Sequence, residues 1–217
     1  MHYFCNKVSV VVPVEIKNII FDLGGVIINL SVKATVQRFS VLTGLSPEYL
    51  NDKLLKSDLF KDHEKGKVSD KDFRNQIRST LNVDSSDEEI DDSWNAMLLD
   101  IPKERIELLL HLKDRYRLFL LSNTNEIHLL RFSEIIDHMN FSFETLFEKV
   151  YYSHRLLMRK PNKEIFEYVL HENGLIAEQT LFLDDSLENL SGAASIGIKT
   201  FHVKHPDSLF HLFEFNK

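Results

Sequence analysis

Residues 18–26 read NIIFDLGGV, a short run of β-branched and aromatic residues that stops at Asp22 and two glycines. A run of this length and composition, closed by turn residues, predicts a buried strand. Asp22 then stands at the strand tip, where a carboxylate meets solvent in a tight turn. Glycines beside it let a ligand approach the backbone closely. Taken alone, an Asp in this place is more often the first residue of a turn.

The first run spans residues 18–22, and four more resemble it: 117–121, 149–152, 180–184 and 199–203. Each of the first four leads through polar or small residues into a helical pattern. Strands alternating with helices predict an α/β fold, a doubly wound parallel sheet with helices on both faces. Ligands of such sheets sit beyond the carboxyl ends of the strands, so the residues ending each strand are the candidate site.

The second strand ends in Leu120-Leu121-Ser122-Asn123-Thr124. A hydroxyl and backbone N–H groups at a helix start suit a phosphate oxygen, although Ser and Thr there also serve as plain N-caps. The segment Met158-Arg159-Lys160-Pro161-Asn162 precedes an amphipathic helix, and a Lys fixed before a Pro-initiated helix can reach the strand-end cleft. On its own it is one more surface lysine. The fourth strand ends in Leu183-Asp184-Asp185-Ser186. Adjacent acids repel unless a divalent cation joins them, and oxygen ligands of this kind suit magnesium. The competing reading is an acidic N-cap for the helix that begins near Leu187.

Nearly a hundred residues separate the first two strands. Helical periodicity appears at 33–43, 47–57, 70–81, 87–99 and 102–116, with Ser46-Pro47 and Ile101-Pro102 as helix starts. Ser69-x-x-Asp72 looks like a weak capping box. The acidic run 84–92 reads as a solvated helix start. Only the last of these helices is needed to reach the second strand, so residues 31–100 read as an inserted helical bundle. The core is then 15–30 with 101–217, and residues 1–14 form a leader. That leader contains VSVVVPV without the basic region or cleavage site of a signal peptide.

The bulk figures fit this picture. In 217 residues, 43% are hydrophobic and 27% charged, with a formal charge of −7. No run is long enough to span a bilayer, and there is no basic footprint for nucleic acid. The single cysteine, Cys5, permits no internal disulfide and fits a cytoplasmic setting. An acidic protein that handles phosphate needs local positive charge, and a metal ion supplies it.

Asp, Ser, Lys and Asp-Asp, in that order at successive strand ends, are more specific together than singly. FDLGGV, LLSNTN, MRKPNKEIF and LFLDDSLENLSGAASIG resemble the motifs of the haloacid dehalogenase-like superfamily, in the branch (subfamily IA) with a helical cap inserted after the first motif. DHEKGKVSDKDF resembles the cap segment of the glucose-1-phosphatase-like branch and of the phosphatase domain of soluble epoxide hydrolase.

The resemblance implies a Mg2+-dependent phosphatase acting on a small phosphorylated metabolite, as a monomer or homodimer. Asp22 would attack phosphorus to give an aspartyl-phosphate that water hydrolyses. Magnesium would lie between Asp22, Asp185 and the carbonyl of Gly24, with Asp184 assisting through a metal-bound water. Ser122 and the N–H of Asn123 would bind phosphoryl oxygens. Lys160 would neutralise charge on Asp22 and on the transferring group.

Gly24 departs from the family, which usually carries a second Asp there as general acid and base, worth about 10² to 10⁴ in rate. One reading is a leaving group that needs little help, such as the anomeric oxygen of a sugar 1-phosphate. Another is dehalogenase chemistry, where halide leaves without a proton, although Asp184 and Asp185 argue against it. A third is a weakly catalytic or non-catalytic binding protein on the same fold. His63 or Glu64 in the cap could stand in for the acid, but both read as ordinary exposed polar residues beside Gly66. The loop before Lys160 reads HRLLMRKP, where relatives often carry Gly near Leu157; if that Gly has positive φ in relatives, Leu there costs energy or reshapes the loop. Trp94 reads as cap core. The ten histidines show no metal spacing, His202 and His205 being isolated. The glycosylation patterns at Asn140 and Asn189 are set aside.

Overall fold

The computed structural model describes residues 15–55, 57–137 and 142–215; the leader with Cys5, and Asn140, lie outside them. Its sheet is built from β1 (Asn18–Phe21), β2 (Arg117–Ser122), β3 (Lys149–Tyr152), β4 (Thr180–Asp184) and β5 (Lys199–His202). All pairings are parallel and the order is β3-β2-β1-β4-β5. The strand order reverses at β1, so the crevice at a topological switch point opens directly beyond Phe21. Phe21 pairs with Leu120 on one side and Leu183 on the other. That register places the ends of β1, β2 and β4 on one edge.

Alternation along β1 explains its burial on both faces. Ile19 and Phe21 join one core cluster and Ile20 the other. On the first face lie α6 (Lys103–Lys113), α7 (Glu126–Ile136) and α11 (Ser208–Leu212), contributing Leu108, Leu109, Phe132 and Phe210. On the second lie α9 (Lys163–Asn173) and α10 (Leu187–Ala194), contributing Ile165, Phe166, Val169 and Leu190. A one-turn helix, α8 (Ser153–Leu156), follows β3.

Between β1 and α6 comes the helical cap: α1 (Val32–Thr43), α2 (Pro47–Leu50), a π-turn Asn51–Leu55, α3 (Leu59–Glu64), α4 (Asp70–Leu81) and α5 (Asp87–Asn95). Its apolar centre contains Phe39, Phe60, Phe73, Ile77 and Trp94, and Ile127 of α7 packs into it from the core. Serines 31, 46, 69 and 86 cap α1, α2, α4 and α5, each accepting a backbone N–H from three residues on. The two connections to the cap run side by side. Leu30 and Leu98 form an antiparallel bridge, flanked by Asn29 N–H to Asp100 O and Ser31 N–H to Met97 O, both 2.9 Å.

Several details differ from the sequence reading. The helix anticipated over 47–57 is a single α-turn followed by the π-turn, and α3 was not anticipated. The helix anticipated over 87–99 ends at Asn95, because Leu98 must turn to meet Leu30. Its start is a full capping box between Ser86 and Glu89. Ser69 caps α4, but Asp72 takes the Ser69 hydroxyl instead of completing a box. The acidic run is paired as well as solvated: Arg74 reaches Asp91 at 2.6 Å, and Arg78 contacts Asp87.

Candidate active site

Asp22 follows directly on β1 and is 8% exposed. Its Oδ1 accepts the Leu23 N–H at 2.7 Å and lies 2.8 Å from Lys160 Nζ. Oδ2 has no hydrogen-bond partner among the described residues. Burial pushes the Asp22 carboxyl up, the Lys160 ammonium opposes this, and Asp184 adds to the rise.

Lys160 is wholly buried. Its ammonium bridges Asp22 and Asp184, the latter at 2.7 Å. Burial works against the ammonium, but the two carboxylates outweigh it and hold its pKa above the usual value. The chain reaches this place through a loop whose Leu157 has φ 56° and ψ 24°, so of the two outcomes left open there Leu takes the left-handed conformation. The helix after Lys160 begins at Lys163, so Pro161 belongs to the preceding turn and does not start the helix. Asn123 fixes the loop: its Oδ1 accepts the Lys160 N–H and its Nδ2 donates to the Lys160 carbonyl, both at 3.0 Å.

Asp184 ends β4 and is fully buried. Besides Lys160 it accepts from the Ser186 N–H at 2.8 Å and from Asn189 Nδ2 at 3.1 Å. Asp185 is the exposed member of the pair, and burial of its carboxyl together with Asp184 raises its pKa. Its side chain fills the place that a β-carbon on Gly25, at φ +70°, would need. Gly24 has a different neighbour: a β-carbon there would meet Leu30 Cδ1 at 2.6 Å.

These positions surround a cavity of about 300 Å³. Asp22, Gly24, Ser122, Asn123, Lys160 and Asp185 line it, while Asp184 stands behind Lys160. Carboxylate oxygens of Asp22, Asp184 and Asp185 lie within 4.8 Å of one another, an all-oxygen donor set that fits magnesium. The wall away from these charges is largely apolar and comes from the cap and its connections: Ile28, Leu30, Phe60, Trp94, Met97 and Leu98.

Two contributors, His128 and Ser153, were not visible in the sequence, and two more, His63 and Glu64, were read there as exposed. His128 of α7 lines the cavity and is 7% exposed, and its ring stacks on Trp94 with centroids 4.6 Å apart. Burial lowers its pKa to about 3, so the ring is neutral at pH 7. Ser153 is buried behind the site; it accepts the Thr124 N–H at 2.9 Å and donates to the Glu64 carbonyl at 2.6 Å. Glu64 itself lines the cavity and pairs with Arg159 at 2.8 Å. His63 is 2% exposed, stacks on Phe73 and bonds Asp70 at 2.7 Å. Glu64 and His63 are thus not the exposed residues the sequence reading made them. Gly66 explains why: at φ +67° it packs so closely on the His154 carbonyl that no side chain fits, which docks α3 on α8.

Comparison with known proteins agrees with this geometry. The model of the haloacid dehalogenase-like hydrolases matches residues 19–203, and the chain belongs to that family. A D-ribitol-5-phosphate phosphatase of Bacteroides thetaiotaomicron is 30% identical over 195 residues, covering 88% of this chain and 93% of the relative. A sesquiterpene phosphatase of Aspergillus oryzae is 26% identical, covering 86% and 89%. A haloacid dehalogenase family enzyme of B. thetaiotaomicron, solved with magnesium and inorganic phosphate, superposes with a TM-score of 0.84 at 37% identity, covering 91% of this chain and 99% of that one. Within the family the chain therefore groups with phosphoric monoester hydrolases, and magnesium is their cofactor. No helix among the described residues is long and apolar enough to cross a membrane.

Proposed function

We propose that this phosphoric monoester hydrolase removes phosphate from a small hydroxylated metabolite, a polyol or sugar phosphate, through covalent catalysis at Asp22. The observation that carries the proposal is the state of that carboxylate. Oδ1 is held by Lys160 and the Leu23 N–H, which leaves Oδ2 as the oxygen free to react. In the first step Oδ2 bonds to phosphorus as the bond to the ester oxygen breaks. Water then attacks phosphorus, releasing phosphate and restoring Asp22. Ser122 and the Asn123 N–H, at the cavity wall, bind the phosphoryl oxygens, and Lys160 offsets charge on Asp22. Asp22, Asp185 and the Gly24 carbonyl would hold magnesium, which supplies charge neutralisation between carboxylates and phosphate. Asp184 positions Lys160 and stands close enough to the other carboxylates to influence the same ion.

The substrate class rests on the size of the cavity, about 300 Å³, and on the likeness to a polyol-phosphate phosphatase. The inserted cap, with its own boundaries at about residues 31 and 100, closes this cavity and selects the leaving group. A narrower reading, a sugar 1-phosphate, is favoured by Gly24. With no acid at that position, the departing oxygen must leave with little help, as an anomeric oxygen does. A cytoplasmic location suits the single cysteine and a metabolite substrate.

The test is phosphate release from polyol 5-phosphates, sugar 1-phosphates and simple alkyl phosphates, with and without magnesium, beside Asp22→Asn. Release that needs both magnesium and Asp22, fastest on hydroxylated esters, is the expected result. Release unaffected by Asp22→Asn would overturn the mechanism, and a preference for plain alkyl esters would overturn the substrate class.

A further inference from the structure

His128 and Trp94 stack on each other in the wall of the cavity. His128 Nδ1 lies 2.9 Å from Asn95 Oδ1. An amide oxygen only accepts, so Nδ1 carries the ring proton and Nε2 is left as a bare acceptor. With the ring neutral, Nε2 remains an acceptor at pH 7. It has no hydrogen-bond partner among the described residues. The same is true of Trp94 Nε1, a group that can only donate. Both side chains are more than nine-tenths buried and both residues line the cavity that holds Asp22, while the two nitrogens themselves have almost no exposed surface.

An unpartnered acceptor and an unpartnered donor on stacked rings, centroids 4.6 Å apart, are unusual neighbours in a packed interior. Phe60 also stacks on Trp94 at 4.5 Å, and Met97 and Leu98 line the same wall; no atom of the described residues satisfies either nitrogen. A hydroxyl matches both in chemistry, since it donates one hydrogen and accepts another. Trp94 sits on α5 of the cap and His128 on α7 of the core, so a small shift of the cap against the core changes access to both nitrogens.

We infer that Trp94 Nε1 and His128 Nε2 form a specificity subsite for a hydroxyl group on the leaving-group portion of the substrate. The inference rests on the phosphatase reading and deepens it. Hydroxylated phosphate esters seat with the cap closed, whereas an apolar ester of equal length leaves both nitrogens buried and unpaired. That penalty is the physical basis by which polar sites reject analogues lacking a hydroxyl.

The experiment compares kcat/KM for D-ribitol 5-phosphate and n-pentyl phosphate in the unsubstituted protein, Trp94→Phe, His128→Phe and His128→Gln. Trp94→Phe keeps an aromatic ring over His128 and removes the donor together with part of the indole; the ratio of the two substrates cancels the shared packing loss, so it stands as a readout if the histidine variants fold poorly. The ratio of the two constants is expected to favour the polyol ester in the unsubstituted protein. It should fall about tenfold or more in the two Phe variants, and recover in part in His128→Gln, whose amide oxygen can accept in place of Nε2. The loss should appear mainly in KM. A ratio unchanged in Trp94→Phe and His128→Phe, with both substrates slowed alike, would show a structural role only and overturn the subsite. No magnesium-dependent release from either ester by the unsubstituted protein would instead overturn the phosphatase reading, and the subsite with it.

Discussion

The Asp185 carboxylate occupies the space that a β-carbon on Gly25 would require. Two separate demands meet at Gly25. Its φ of +70° is a conformation that L-residues with side chains adopt at a cost, and the approach of Asp185 leaves no room for one. The glycine therefore sets the distance between the β1 turn and the fourth strand end, across which Asp22 and Asp185 are proposed to share a cation.

Gly25→Ala should displace Asp185 and weaken magnesium binding more than it weakens the fold. Backbone strain at this position costs about 1–2 kcal/mol. The expected result is a small fall in Tm without metal and the loss of most of the magnesium-induced rise. Saturating magnesium stabilises a protein by about 3 kcal/mol at 100 times Kd. A full magnesium-induced rise in the variant would show that Asp185 is not a ligand.

Lys160 is the sole ammonium bridging Asp22 and Asp184 among the described residues. Lys160→Met leaves two buried carboxylates facing each other, and breaking a buried ion pair from one side costs about 3–5 kcal/mol. Chemical denaturation should show a loss of that order, with activity reduced to that of Asp22→Asn. The double variant Lys160→Met with Asp184→Asn should be less destabilised than the sum of the two singles, because both remove the same pairing. Additive losses would mean that Asp184 is anchored by Ser186 and Asn189 alone.

Leu30 stands where the side chain of a general acid at position 24 would extend. Gly24→Asp alone should therefore destabilise, while Gly24→Asp with Leu30→Ala should accommodate the carboxyl. In the double variant, turnover of alkyl phosphates should rise by about 10² relative to Leu30→Ala, and anomeric phosphates should gain less. Steady-state rates on the two classes decide this. Equal gains on both, or none, would remove the leaving-group argument for sugar 1-phosphates.

His128 gives the fold a pH dependence of known sign. An unfolded histidine takes up a proton near pH 6.5, whereas the folded ring resists protonation down to about 3. Acidification below the unfolded value thus favours the unfolded chain, by at most about 1.4 kcal/mol per pH unit for this group. His63, with its pKa also lowered chiefly by burial, acts in the same direction. Denaturation midpoints at about pH 7 and about pH 5 should show the unsubstituted protein losing more stability than His128→Phe. Parallel losses would mean that His128 becomes protonated in the folded state.

What the sequence made legible follows from how each feature is encoded. The sheet and its order of chemistry were readable because each strand is a contiguous apolar run with its polar residue at the tip. Asp22, Ser122 and Asp184-Asp185 announce themselves in this way. Lys160 was readable only in combination with them. The positive φ at Leu157 was only one of two outcomes that the family resemblance left open, and no local property of Leu signals it. The rest was hidden because it depends on long-range pairing. Asn123 clamps Lys160 from 37 positions away, and Ser153 reaches Glu64 across 89. His128 in isolation is one polar residue on an otherwise amphipathic helix. Its burial becomes visible only when α5 of the cap lays Trp94 over it. The break of the second cap helix into a π-turn likewise has no signal in a periodic apolar pattern.

The central claim is that Asp22 becomes covalently phosphorylated. The direct measurement is a rapid quench of the enzyme turning over a phosphate ester in magnesium, followed by borohydride reduction and peptide mass analysis. Reduction of an aspartyl-phosphate converts that residue to homoserine. Homoserine at position 22, absent when magnesium is omitted, is the result this account predicts. Phosphate release in magnesium with Asp22 recovered unmodified at every quench time, and at full rate in Asp22→Asn, would contradict it.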